Sequence, residues 1–298
     1  MKGYYDIAGD GGSRILEQVA DLRARIAGGL AGVRHLVAVG SGKGGVGKST
    51  LTLHLAGALR ARGLRIAILD ADFNGPTQAR MAGVQEAPLV PGSHKAALPQ
   101  TSNGIAVFSI GSLIPESQAL EFETAARGES HTWRATREFA LLGEILASVE
   151  WGTLDVLMFD LPPGAERTVQ YADFLSSFDG TAGGPRTSFV LVTIPSEVSR
   201  GVVARSVAAL SKNPNRILGY VENMSGYYCR DCDAIKPLFD SPQDGPALGL
   251  PCLGTIPFDP ELARHCDRGT PFAELPATPA GRALDRVAHQ LLEHLEAP

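Results

Sequence analysis

Residues 35–63 read HLVAVGSGKGGVGKSTLTLHLAGALRARG, an apolar run, a glycine-rich turn and an amphipathic stretch in that order. Eight residues in the middle, GKGGVGKS from Gly42 to Ser49, fill the spacing G-x-x-x-x-G-K-[ST] of a phosphate-binding loop. A strand feeding such a turn and then a helix aims backbone N–H groups and the positive helix end at one spot. Gly42, Gly44, Gly45 and Gly47 let the main chain curl around phosphate oxygens that side chains would block. Lys48 then meets the β- and γ-phosphates, and the Ser49 hydroxyl is placed to ligate Mg²⁺. A second lysine inside the loop, Lys43, is not explained by this geometry.

Working outward, short runs rich in Val, Ile, Leu and Phe recur. Strands are expected at HLVAVGS (from His35), LRIAILDA (from Leu64), IAVFSIG (from Ile105), DVLMFDL (from Asp155), SFVLVTI (from Ser188), RILGYVEN (from Arg216) and CLGTIP (from Cys252). Apolar runs without alternation suit strands buried on both faces of a parallel sheet. Helices are expected over Lys48–Arg62, Trp133–Glu150, Val198–Lys212 and Ala280–Leu295. Another is expected over Ser13–Ile26, with Ser13 as N-cap and Gly28-Gly29 past its end. Alternating strands and helices predict an α/β fold, a doubly wound, mostly parallel sheet with helices on both faces. The prolines of 86–103 and the stretch DGTAGGPR from Asp179 read as surface excursions. No linker divides the chain, so residues 1–34 form a helical extension and 35–298 one nucleotide-binding domain.

The 298 residues carry 27 Lys+Arg against 32 Asp+Glu, a net charge of -5 that gives no general attraction for nucleic acid. The N-terminus MKGYYDIAGDGG lacks the basic-then-apolar pattern of a secretory signal, and no uninterrupted apolar run has membrane-spanning length. A cytoplasmic location follows as the expectation, with the four cysteines as thiols or metal ligands.

The pattern K-G-G-x-G-K-[ST] resembles the deviant Walker A loop of the MinD/ParA-like P-loop ATPases, the group that includes the nitrogenase iron protein. The resemblance implies that Lys43 reaches the nucleotide of a second protomer, coupling nucleotide state to dimer geometry. It implies ATP contacts from Gly42, Lys43, Gly44, Gly45, Val46, Gly47, Lys48, Ser49 and Thr50. ILDADFNGP ends the second strand, expected beside the first as in such folds, where Asp72 would position or deprotonate the attacking water and Asp70 would support the Mg²⁺ shell. Asp160, closing VLMFDLPPG, is the Walker B carboxylate, and the Gly164 N–H would sense the γ-phosphate.

The resemblance narrows with W-R at Trp133-Arg134, D-x-P-P-G at Asp160–Gly164, ENMSGYYCRDC from Glu222 to Cys232, and L-G-x-I-P from Leu253. In that order these are similar to the Mrp/ApbC family of iron–sulfur cluster carrier ATPases, from about His35 to Phe272. By this likeness Asn223 hydrogen-bonds the adenine, with the loop after Ile256 closing over the base. Cys229 and Cys232, placed on a turn, can face one metal centre but supply half of a four-ligand site. A twofold dimer completes it. A redox pair and a bridging zinc site remain alternatives for the same two thiols. Cys252 reads as a buried small residue and Cys266 as an incidental thiol. His131 and His265 read as surface residues, and the C-terminal helix as docked on the sheet rather than on a membrane.

Two positions depart from the family. Arg167 stands where many members carry Asp after PPG, and Asp233 stands where Gly commonly follows the cysteine pair. The resemblance therefore implies a homodimeric, slowly hydrolysing ATPase that binds Mg²⁺ and ATP. It would hold a 4Fe–4S cluster between protomers for delivery to apo iron–sulfur proteins. The rival expectation is a MinD/ParA-like positioning ATPase with no cluster.

Overall fold

The computed structural model describes residues 15–87, 89–91, 95–113, 131–177, 184–212, 216–229, 231–239, 248–270 and 277–297. The expected N-cap Ser13, the side chains of His131, Trp133 and Arg134, and the end of the matched segment at Phe272 lie outside the described residues, as does most of the excursion from Asp179.

Helix α1 (Ile15–Leu30) leads into strand β1 (Val33–Ser41), helix α2 (Lys48–Ala61), strand β2 (Ile66–Asp70) and the one-turn helix α3 (Gln78–Met81). A small hairpin, β3 (Val90–Pro91) and β4 (Ala96–Ala97), precedes β5 (Ala106–Phe108) and the 3₁₀ turn Ile110–Ser112. Then follow α4 (His131–Ser148), β6 (Leu154–Asp160), α5 (Ala165–Ser176), β7 (Arg186–Thr193) and α6 (Glu197–Leu210). The chain closes with β8 (Arg216–Cys229), β9 (Ala234–Lys236), β10 (Cys252–Phe258), α7 (Pro260–Arg268) and α8 (Pro279–Glu296).

The main path of the sheet runs β10-β8-β7-β1-β6-β2-β5, parallel throughout, and β9 pairs antiparallel with the far end of β8. Side chains alternate along β1, so Val37 and Val39 join the core under α2 and α8, while Leu36 and Ala38 join the core under α1, α4 and α5. The C-terminal helix buries Leu284, Val287, Leu291 and Leu295 on the first of these faces, as expected. Among the described residues no helix is long and apolar enough to cross a membrane.

Four expectations need correction. β2 does not lie beside β1, because β6 inserts between them and hydrogen-bonds both. α1 does not stop at Ile26 but runs through Gly28 and Gly29 to Leu30. Packing overrides the weak helix propensity of glycine: Leu30 is fully buried, and a Cβ on Gly29 would stand 2.4 Å from the Leu146 carbonyl of α4. β8 continues past Asn223 to Cys229, because β9 folds back to pair with Tyr227, Tyr228 and Cys229 while Phe258 of β10 still pairs with Tyr227. Finally, Cys252 is exposed at the start of β10 and Cys266 is the buried thiol. α5 was not expected at all: its first turn, AERT, is polar. Its buried face of Thr168, Tyr171, Ala172 and Leu175 nevertheless keeps helical spacing.

Candidate functional site

The carboxyl ends of β1, β6 and β2 converge, and register puts Val39 beside Asp160 and Asp160 beside Asp70. This is the edge where open α/β sheets bind ligands. The loop leaving β1 turns through Gly47, which caps α2 with φ 80, a left-handed conformation that disfavours any Cβ. Asn223, reaching from β8, donates from Nδ2 to the Val46 carbonyl at 2.9 Å, so the residue expected at the adenine braces the phosphate loop. The next residue, Met224, has φ 54, an outlier for an unbranched apolar side chain.

Lys48 is 7% exposed, and its ammonium meets Asp160 Oδ1 at 2.5 Å and Ser49 Oγ at 3.3 Å. Asp160, fully buried, also accepts from Gln78 Nε2 at 2.9 Å, and the same amide reaches the Ser49 carbonyl at 3.0 Å. The expected Walker lysine, carboxylate and hydroxyl thus stand together, with Lys48 ion-paired to Asp160. Ser49 and Asp160 are hard oxygen donors of the kind Mg²⁺ prefers, so the donor set fits that ion.

Asp70 serves the loop behind them. Its Oδ2 accepts from the amides of Thr77 (2.9 Å) and Gln78 (3.0 Å) and from Ser109 Oγ (2.9 Å), and its Oδ1 from the Asp72 amide (3.3 Å). Burial, then the charge of Asp160, pushes this carboxyl up to about 7. Asp72, less buried, accepts from the Gly75 amide at 3.2 Å, and burial raises its pKa against the pull of Lys48. Gly164, N-cap of α5 with φ 117, points its N–H at the Ser41 carbonyl, 3.0 Å away. Lys43, half-buried, accepts from Ser41 Oγ through its carbonyl at 3.0 Å.

The cysteine pair sits at the other end of β8. Cys229 closes the strand and Cys232 lies in the turn before β9. The Cys229 thiol is lowered to about 7 by the Cys232 amide, then by the Cys232 thiol and the Asp231 amide. The Cys232 thiol is raised in turn by its hydrogen bond with Cys229, so the pair favours one thiolate, at Cys229. Asp233 takes φ 49, the conformation a glycine would supply, and its Oδ1 accepts from Tyr228 at 2.7 Å. Among the described residues no group of three or more His, Cys, Asp or Glu gathers as metal ligands, and none of them joins the pair as a third ligand. Sequence reasoning missed Gln78, Ser109, Glu138 and Tyr171. Gln78 alone left a trace, four residues after ADFN in a turn-rich stretch.

A doubly wound sheet with a two-lysine phosphate loop and carboxylates at the ends of β2 and β6 defines a P-loop NTPase of the MinD-like class. Solved structures agree on the fold. MinD of Pyrococcus furiosus superposes with a TM-score of 0.59 at 19% identity, over 87% of this chain and 98% of that one. A nucleotide-binding protein of Archaeoglobus fulgidus, in complex with ADP, gives 0.67 at 28%, over 83% and 91%. The ParA family model described as NUBPL iron-transfer P-loop NTPase matches residues 32–292, and the chain belongs to that family. Among curated relatives, the cytosolic Fe-S cluster assembly factor NUBP2 of Gallus gallus is 36% identical over 276 residues, covering 89% of this chain and 94% of its own. The NUBP2 of Homo sapiens is 35% identical over 274 residues, covering 89% and 95%.

Proposed function

We propose that this chain is an ATP-dependent iron–sulfur cluster carrier of the cytoplasm, active as a homodimer and delivering its cargo to apo-proteins. One observation carries the reading: β8 is a single strand that braces the phosphate loop through Asn223 and ends in Cys229. Five residues lie between the two, a span of at most about 20 Å at strand rise. A change in the loop on nucleotide binding is thereby passed to the thiols without an intervening flexible segment.

Two thiolates are half of a four-iron cluster's ligands, and a second copy supplies the rest. In hydrolysis Lys48 exchanges its Asp160 partner for the β- and γ-phosphates, and Lys43 meets the nucleotide of the partner subunit. The Gly164 amide turns from Ser41 to the γ-phosphate. Asp72 orients water and takes its proton as oxygen attacks the γ-phosphorus and the bond to ADP breaks. Ser49 and Asp160 would hold Mg²⁺, which supplies charge neutralisation of the phosphates; Asp70 acts by fixing the Asp72 loop. Hydrolysis is slow and resets the dimer.

Anaerobic reconstitution followed by mass measurement and iron analysis tests this. Wild-type protein should hold about four irons per dimer with cysteinate ligation. Cys229→Ser and Cys232→Ser should each lose them while still binding ADP. Retained iron in either variant, or a monomer that carries iron, would overturn the reading.

A further inference from the structure

Tyr171 on α5 is fully buried, and its hydroxyl lies 2.8 Å from the Ala71 carbonyl and 3.0 Å from Glu138 Oε1. A phenol has one proton, and both neighbours are acceptors. Glu138, on α4, is 6% exposed and is ion-paired with Arg167, one turn before Tyr171 on α5. The Arg167 guanidinium also lies 5.6 Å from the Tyr171 ring centroid and 5.8 Å from that of Phe139. An arginine that satisfies Glu138 leaves the phenol proton for Ala71. Ala71 stands between Asp70 and Asp72, and Arg167 is three residues beyond Gly164.

We infer that Arg167 and Glu138 form a latch that holds the Tyr171 hydroxyl on the Ala71 carbonyl, so that helix α5 and the Asp72 loop move as one body. This rests on the reading of Gly164 and Asp72 as parts of an ATP-hydrolysing site. Arg167, Glu138 and Tyr171 are positioning residues, since none of them lies among the groups assigned to the nucleotide. The arginine that departs from the family pattern therefore strengthens the link between phosphate sensor and water-orienting loop.

The test is hydrogen exchange in nucleotide-free protein at the amides of Asp72, Gly75, Thr77 and Gln78. Tyr171→Phe and Arg167→Gln should each speed exchange there by roughly tenfold, the worth of about one hydrogen bond. Amides of β1 and β6 should be unchanged. Adding Glu138→Gln to Arg167→Gln should restore the slow rate, because an amide donates to the phenol oxygen instead of competing for its proton. ATP turnover should follow the same pattern in kcat, with KM and ADP affinity unchanged. Wild-type exchange in Tyr171→Phe, acceleration spread over the whole sheet, or absence of rescue in the double variant would each overturn the latch. If wild-type protein turns over no ATP while the exchange pattern holds, the latch stands and the hydrolytic reading falls.

Discussion

Replacing Gly47 by alanine isolates how the phosphate loop is braced. Gly47 has φ 80 and Gly45 has φ 76, so alanine at either pays the left-handed penalty of about 1 kcal/mol. The two differ in surroundings. A Cβ at Gly45 meets nothing within 4 Å, whereas one at Gly47 would stand 2.3 Å from Asn223 Nδ2. That amide is the free end of a rotatable side chain, so it moves aside and loses its 2.9 Å bond to Val46. Its loss adds about 1 kcal/mol. Gly45→Ala should therefore lower the unfolding free energy by about 1 kcal/mol and Gly47→Ala by about 2 kcal/mol. Urea unfolding of the nucleotide-free protein measures both. In an Asn223→Ala background the cost of Gly47→Ala should fall to that of Gly45→Ala. Equal costs for the two glycines, or full additivity with Asn223→Ala, would refute the brace.

Two further outcomes follow from the buried charges. His54, buried on α2 against Cys266 at 3.6 Å, is lowered to about 4 chiefly by burial. The unfolded chain, with a histidine near 6.5, binds the extra proton first, so stability rises with pH between 4 and 6.5 and is lost as pH falls through that window. The slope from this group approaches about 1.4 kcal/mol per pH unit. His35, also lowered to about 4 by burial, acts in the same direction. Urea unfolding at pH 7 and pH 5 should show a flatter pH response for His54→Gln, and an unchanged slope would count against burial as the cause. Asp160→Asn leaves Lys48 buried without its charge partner. Nucleotide-free protein should lose about 3 kcal/mol, and saturating ADP should recover part of it by offering phosphate to the lysine. Calorimetric melting with and without ADP reads this, and equal losses in both states would contradict the partner exchange.

Much of the fold was open to reading because its signals are local. GSGKGGVGKST dictates strand, turn and helix through glycine conformations and apolar periodicity, and VLMFDLPPG ends a buried strand in a carboxylate for the same reason. Local signals fail where partners are distant. The order β1-β6-β2 depends on which strands find each other, which no single segment encodes. α5 hides behind a polar first turn because that turn contacts Glu138 and Phe139 rather than the core. Cys266 is buried because α7 lays it on α2, and Cys252 is exposed because β10 is an edge.

By itself the sequence determined the chemistry: phosphate loop, carboxylates and thiol pair are fixed by residue type and spacing, which act over a few bonds. The tertiary structure alone decided how these parts are joined. Asn223 to the Val46 carbonyl, Lys48 to Asp160 and Tyr171 to Ala71 are contacts between residues 100 to 177 positions apart. Their geometry is set by packing of the whole sheet, and only that packing brings the phosphate loop against the strand that ends at Cys229.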